Sequence, residues 1–182
     1  GQERWESVNN ALSSLKKGIN RVAIHDGARP AISDSLFEKL LLACGQLNAV
    51  AAALPIAGTV RRTTTDQRTI VEEDDIADAI FGDTGRSTVE VFQVDKTIDR
   101  SHLWEMQTPQ IFSVDLLIRA YKDAALQNAT DDAQLIEAIG EVVHLVQGES
   151  RNIKVTTPSD LKLIKAILGV KNAPQRPTHK RF

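Results

Sequence analysis

An aspartate and an arginine three residues apart, with a glycine between them, are the first residues of this chain that could handle a phosphate. His25-Asp26-Gly27-Ala28-Arg29-Pro30 directly follows the short, mostly apolar run Arg21-Val22-Ala23-Ile24. In open α/β sheets, ligands collect beyond the carboxyl ends of the strands. An acid at such a point can hold Mg²⁺, which takes one or two carboxylates and fills its other positions with water and phosphate. Arg29 offers a planar fork suited to phosphate oxygens. The plainer alternative is that Asp26 caps the turn and Arg29 pairs with it on the surface. A second cation stands in Asn152-Ile153-Lys154-Val155-Thr156, which reads as a strand running into a capped helix. The two-residue period places Asn152, Lys154 and Thr156 on one face. Lys154 there is either a point charge for a phosphate or an edge lysine that blunts strand pairing.

Thr59 follows a second buried strand and, with Arg61, Arg62 and Arg100, could line an anion pocket. The alternative is a turn threonine beside solvated arginines. Gln107-Thr108-Pro109-Gln110 sets two amides and a hydroxyl around a proline in what reads as a rigid loop. It suits reading a base or shaping a pocket, and equally suits a structural turn. Thr130-Asp131-Asp132 is most simply a helix cap whose acids favour the positive end of the dipole. His102 and His144 stand at no metal-binding spacing, and Cys44 falls mid-helix on the core side. There is no nucleophile elbow and no Walker loop.

The elements that must position these residues alternate. Arg4 to Leu15 is an amphipathic helix stopped at Gly18. Arg21 to His25 is a buried strand. Ser33-Asp34-Ser35 caps a helix with Leu36, Leu40 and Leu41 on its apolar face and Gly45 at its end. Ala49 to Pro55 is apolar without alternation, as expected of a strand covered on both sheet faces. Strand, helix and strand with tight connections predict a βαβ unit and a mostly parallel, Rossmann-like α/β sheet. Residues 59–100 break the rhythm: two strand-like arms, the second alternating over Thr88 to Val94, with a small helix at Asp75 to Phe81 between them. Such a ribbon is marginal alone and is expected to project and to pack on a partner subunit. The core resumes with helices from Ser113 to Gln127 and from Ala129 to Ile139, and with strands at Val142 to Val146 and Asn152 to Val155. Thr157-Pro158-Ser159-Asp160 then starts a helix that runs to Leu168. The expected organisation is a core of 1–58 and 101–170, an arm of 59–100 and a mobile tail of 171–182.

Composition narrows the function classes. The 182 residues are 42% hydrophobic and 25% charged, with 22 basic and 24 acidic side chains and a net charge of −2. No long-range basic field attracts nucleic acid. The single cysteine excludes a disulfide framework and fits a reducing, cytoplasmic compartment. The longest apolar stretch, Ala49 to Ala57, is half a membrane span and contains Pro55. No signal peptide opens the chain. It begins with Gly1, and Met106 is its only methionine, so it is expected to be processed or to lack its beginning.

Six segments in order carry a resemblance. They are Gly1 to Val8 (GQERWESV), His25 to Pro30, Thr97-Ile98-Asp99-Arg100 with Leu103-Trp104, Gln107 to Phe112, Thr130-Asp131-Asp132-Ala133 and Asn152 to Thr156. Together the chain resembles the 2-C-methyl-D-erythritol 4-phosphate cytidylyltransferase family of the non-mevalonate isoprenoid pathway, from Gly1 to about Leu168. The resemblance implies the nucleotide-diphospho-sugar transferase type of fold and Mg²⁺-dependent transfer of CMP from CTP to methylerythritol phosphate, with release of pyrophosphate. By the same resemblance Gly1 and Ser7 would contact cytosine, Asp26 would serve ribose or metal, and Gly27 would lie by the nucleotide while Arg29 supports that loop. Thr59 and Arg100 would hold the acceptor phosphate in the neighbouring subunit's site, so the active unit would be a homodimer. Lys154 would steady the pentavalent α-phosphate, and Thr130 would assist near the acceptor.

Three features depart from the family pattern. Nothing in the chain supplies the family's opening glycine-rich loop. Gly58 and Arg151 stand where the pattern has acids, which rests metal binding more heavily on Asp26. Residues 67–94 are longer than the family's arm by what reads as an insertion. Two rival readings follow: a ribitol-5-phosphate cytidylyltransferase, and a catalytically silent dimerisation or binding homologue.

Overall fold

The structure is a computed structural model and describes residues 3–71, 88–123 and 129–170. The expected helix at Asp75 to Phe81, the end of the helix expected to reach Gln127, and the tail from 171 lie outside those residues. The chain divides into two compact units, Gly1–Leu54 with Trp104–Phe182, and Pro55–Leu103.

The first unit is built on a four-stranded mixed sheet. Its strands are β1 (Arg21–Ile24), β2 (Ala49–Pro55), β5 (Trp104–Ser113) and β6 (His144–Gln147), in the order β1-β5-β2-β6. β1 pairs antiparallel with β5, from Arg21 opposite Ser113 to Ile24 opposite Gln110, and β2 pairs parallel with β6. The expectation of a mostly parallel sheet with β1 beside β2 is therefore corrected, because β5 lies between them. Gln107 to Gln110 belongs to that strand rather than to a loop. Pro109, which has no N–H for a ladder, stands one step beyond the end of the β1 register, so β1 loses no bond to it.

Helices cover both sheet faces. Ala49, Phe112 and Leu12 pack with Leu116, Leu117, Tyr121, Leu135 and Ile136, drawn from α1 (Arg4–Ser13), α3 (Val114–Asp123) and α4 (Asp132–Ala138). On the other face Val50, Ala52 and Ile111 pack with Leu36, Leu40 and Cys44 of α2 (Asp34–Gln46). Neighbouring residues of one strand thus feed opposite cores, the two-residue period of a strand buried on both sides. Leu41 points outward; Cys44 completes the α2 stripe instead, at the i+4 step from Leu40.

The helix starts follow their caps. Ser33 Oγ accepts the Leu36 N–H at 3.0 Å, and Thr157 with Asp160 forms a capping box at the head of α5 (Pro158–Ile167). α4 begins at Asp132 and not at Ala129, because the Asp131 carboxylate caps it. The strand expected at 142–146 falls at His144–Gln147. Residues 152–155 form no strand. The Asn152 carbonyl accepts from Arg29 Nη1 at 2.8 Å, and a backbone bond joins Val155 N–H to the Ala28 carbonyl at 2.8 Å.

The second unit is a two-stranded antiparallel ribbon of β3 (Val60–Val71) and β4 (Thr88–Ile98), with register shifts between Arg62 and Gln67. It leaves Ile70, Val89, Phe92 and Val94 exposed. No helix among the described residues is long and apolar enough to cross a membrane.

Candidate functional site

β1 ends at Ile24, and the chain turns through His25-Asp26-Gly27 before Arg29. The turn is fastened at both ends. Asp26 N–H donates to Thr108 Oγ1 of β5 at 2.9 Å, and Arg29 N–H donates to the Asp26 carbonyl at 2.9 Å. His25 adds two ring contacts, 3.0 Å from Thr108 Oγ1 and 3.0 Å from the Arg29 carbonyl. The Asp26 carboxylate is thereby aimed at the segment after β6. There Lys154 Nζ stands 3.1 Å from Asp26 Oδ2. Arg29 Nε lies 3.6 Å from the same oxygen, an ion pair without a hydrogen bond, and this buried nitrogen has no hydrogen-bond partner.

These groups share one cleft of about 220 Å³, lined by Arg4, Asp26, Arg29 and Lys154, by Met106, Gln107, Thr108 and Gln110 of β5, and by Thr130 and Asp131. Partial burial pushes the Asp26 carboxyl upward in pKa. The hydrogen bond and charge of Lys154, then the charges of Arg29 and Arg4, outweigh that and hold it below the ordinary value. The lysine side chain is about half exposed while that of the aspartate is mostly covered. Arg4, Arg29 and Lys154 line this partly enclosed cleft with Asp26 and Asp131, and Arg4 also pairs with the buried Asp132, so the half-exposed Lys154 is the cation best placed to meet an anion such as a phosphate ester.

The wall behind Lys154 is a clamp centred on Gln107. Its Nε2 donates to the Glu149 carbonyl at 3.1 Å. Its Oε1 accepts from Glu149 N–H and from Asn152 Nδ2, both at 3.3 Å. Asn152 Nδ2 also donates to the Thr108 carbonyl at 2.8 Å. Asn152 is fully buried in this clamp, Lys154 reaches the cleft, and Thr156 bonds to Asp160 at the head of α5. The three residues expected on one site-facing edge therefore divide three ways.

Of the residues singled out in the sequence, Asp26, Arg29, Lys154 and Thr130 come together at the cleft. Gly27 is an exposed member of the turn with open space at its Cα. Ser7 is not brought to the cleft. It lies on α1, its hydroxyl 3.4 Å from the Glu3 carbonyl, and lines a separate apolar groove with Val8, Leu12 and β1 residues. Gly1 is outside the described residues. Thr59 and Arg100 belong to the ribbon unit, both exposed and at the end where Val60 pairs with Ile98. Asp132, expected only as an acid at a helix start, is buried beside the cleft, and Arg4, for which the sequence suggests only a place on an amphipathic helix, lines it. A signal was available: two successive acids head one helix, and only one of them can be its cap.

The family model described as 2-C-methyl-D-erythritol 4-phosphate cytidylyltransferase (IspD) matches residues 1–81 and 76–170. A protein of that name from a Synechococcus species is 38% identical over 170 residues, covering 92% of this chain and 62% of the relative. Its counterpart in Geobacillus thermodenitrificans is 37% identical over 171 residues, covering 93% and 63%. Among solved structures, the Thermus thermophilus 2-C-methyl-D-erythritol 4-phosphate cytidylyltransferase superimposes with a TM-score of 0.72 at 30% identity, over 93% of this chain and 71% of that one. The chain spans less than two thirds of the length of these curated relatives.

Proposed function

Because the chain belongs to the 2-C-methyl-D-erythritol 4-phosphate cytidylyltransferase family, we propose that it serves a cytidylyltransferase that moves CMP from CTP to methylerythritol phosphate and releases pyrophosphate. The observation that carries this reading is the Asp26–Lys154 pair at 3.1 Å inside a cleft that also holds Arg29 and Arg4. In-line displacement at phosphorus asks little covalent chemistry of a protein. It asks for orientation of the two reactants and for positive charge where negative charge accumulates. Lys154, half exposed and tethered from behind, takes the charge-stabilising role at the α-phosphate. Arg29, buried and bonded to the Asn152 and Met106 carbonyls, supports the loop that carries Asp26 and Gly27 beside the nucleotide. Thr130 takes the acceptor side of the cleft. In this reading Thr59 and Arg100 hold the acceptor phosphate of a neighbouring subunit's site, while Ser7, which lies away from the cleft, is left without a role at the nucleotide. The exposed Phe92, Val94, Val89 and Ile70 of the ribbon support its burial against a second copy.

For Mg²⁺ the donor set is small. Among the described residues there is no group of three acids, histidines or cysteines that could hold a metal. Both Asp131 oxygens are engaged, by Gln110 Nε2 and by Gln134 N–H. Asp26 Oδ2 is engaged by Lys154, which leaves Oδ1. One carboxylate oxygen completed by substrate phosphates and water fits the way Mg²⁺ is commonly held. When bound there, the ion would draw charge from the phosphate oxygens.

The test is CTP-dependent pyrophosphate release by the full-length protein, with methylerythritol phosphate and then ribitol 5-phosphate as acceptor. Release with the first acceptor and little with the second is expected. Soluble protein that releases none with either would overturn the reading.

A further inference from the structure

Asp132 is 0% exposed. A buried carboxylate is tolerated only where donors surround it. Two do so here. Tyr121 Oη donates to Oδ1 at 2.6 Å, and the Arg4 guanidinium pairs with Oδ2. The Tyr121 hydroxyl is pushed well above its usual pKa by burial and by that carboxylate, so it stays a donor. The residues on either side are tied just as firmly. Asp131 accepts from Gln110 Nε2 at 2.8 Å and from Gln134 N–H at 2.9 Å, and Ala133 N–H donates to Gln110 Oε1 at 3.1 Å. Gln134 Oε1 in turn accepts from Thr130 N–H at 2.8 Å. Thus α1, α3 and β5 all fasten residues 130–134, whose first two members, Thr130 and Asp131, form one wall of the cleft. α4 is only seven residues long, too short to fix its own start.

Arg4 is the unexpected member of this set. It sits in the first turn of α1, where a cation opposes the helix dipole, so helix formation does not account for it. It is partly exposed, lines the cleft, and donates to no other group among the described residues. We propose that Arg4 is a positioning residue, which through the buried Asp132 carboxylate fixes the 130–134 segment and so the acceptor end of the cleft. This rests on the reading that Thr130 faces the acceptor. The planar fork suits the role better than an ammonium, because it holds direction as well as charge.

The experiment compares the full-length wild type with Arg4→Lys and with Arg4→Gln combined with Asp132→Asn, the second change removing the charge that Arg4→Gln alone would strand in the interior. In the double variant the acceptor KM should rise about tenfold or more while the CTP KM stays within about twofold. Arg4→Lys should recover part of the loss. Backbone amides of Ala133 and Gln134 should exchange hydrogen faster, with those of β2 unchanged. Unchanged exchange at 133–134, or acceptor and CTP KM rising together in step with a falling Tm, would overturn the proposal. If the wild type shows no acceptor-dependent turnover, the functional reading fails by itself, and the exchange pattern still decides the role of Arg4.

Discussion

In the proposed reading, Lys154 carries the charge stabilisation of the cleft in one side chain. Its ammonium is 3.1 Å from Asp26, and nearly half of the side chain faces solvent. A cation so placed interacts most strongly with the species that carries most negative charge. Lys154→Ala is expected to lower kcat by about a hundredfold to a thousandfold with little change in CTP affinity, since the interaction strengthens on the way to the transition state. Kinetics paired with calorimetry checks this, and equal losses in turnover and CTP binding would remove the role. Both partners of the pair were legible in the sequence, because one directly follows a short apolar strand, itself only half-buried, and the other precedes a strongly capped helix. Arg4 and Asp132 were not. A charge in the first turn of a helix normally reads as a dipole or surface effect, and only packing reveals that Asp132 turns inward to meet Tyr121 and Arg4.

At the level of elements, the segment from Gly148 to Lys154 is held by a side chain of β5. A Cβ at Gly148 would collide with Gln107 Oε1 and come within 3.2 Å of the Ala53 carbonyl. Gln107 cannot swing aside freely, since the same amide clamps Glu149 and Asn152. Gly148→Ala should therefore cost about 1–3 kcal/mol, as overpacking does, and should lower kcat by loosening Lys154. A variant with wild-type Tm and turnover would show that the clamp is soft. The head of α5 makes a second case. Asp160 accepts from Thr156 N–H at 3.0 Å and Thr157 N–H at 2.8 Å, and these backbone bonds, with both threonine hydroxyls, lower its pKa from 3.8 to about 2. A depressed carboxyl stabilises the fold fully above its unfolded pKa and loses that contribution as pH falls through its folded pKa. Unfolding measured between pH 4 and pH 2 should show stability falling in the wild type and a flatter profile in Asp160→Asn; parallel profiles would deny the linkage. This cap was plain in the sequence, as was β2, whose unbroken apolar run predicts two covered faces. β5 was hidden because Gln107-Thr108-Pro109-Gln110 carries turn chemistry and a proline. Those same polar side chains bond inward to the cleft wall, and the proline falls where β1 has ended.

At the scale of the whole molecule, the proposed reading would draw each site from two copies of the chain. Lys154 belongs to the sheet unit, and Thr59 with Arg100 to the ribbon unit, whose exposed Phe92 and Val94 favour burial against another surface. If the ribbon of one protomer completes the cleft of its partner, damage on different subunits should be separable. Lys154→Ala and Arg100→Ala subunits, each nearly inactive as homodimers, would be coexpressed in equal amounts. In a two-fold dimer with shared sites, each hybrid carries one doubly damaged site and one intact site. Random assortment then leaves about a quarter of all sites intact, and turnover should recover to about that fraction of wild type. Sites made within single protomers give no such recovery, because every site in the hybrid would still lack one cation. Recovery that vanishes when Phe92→Asp is added to both subunits would tie the effect to ribbon pairing, while a mixture as inactive as its parents would show that Arg100 does not act across the two-fold axis.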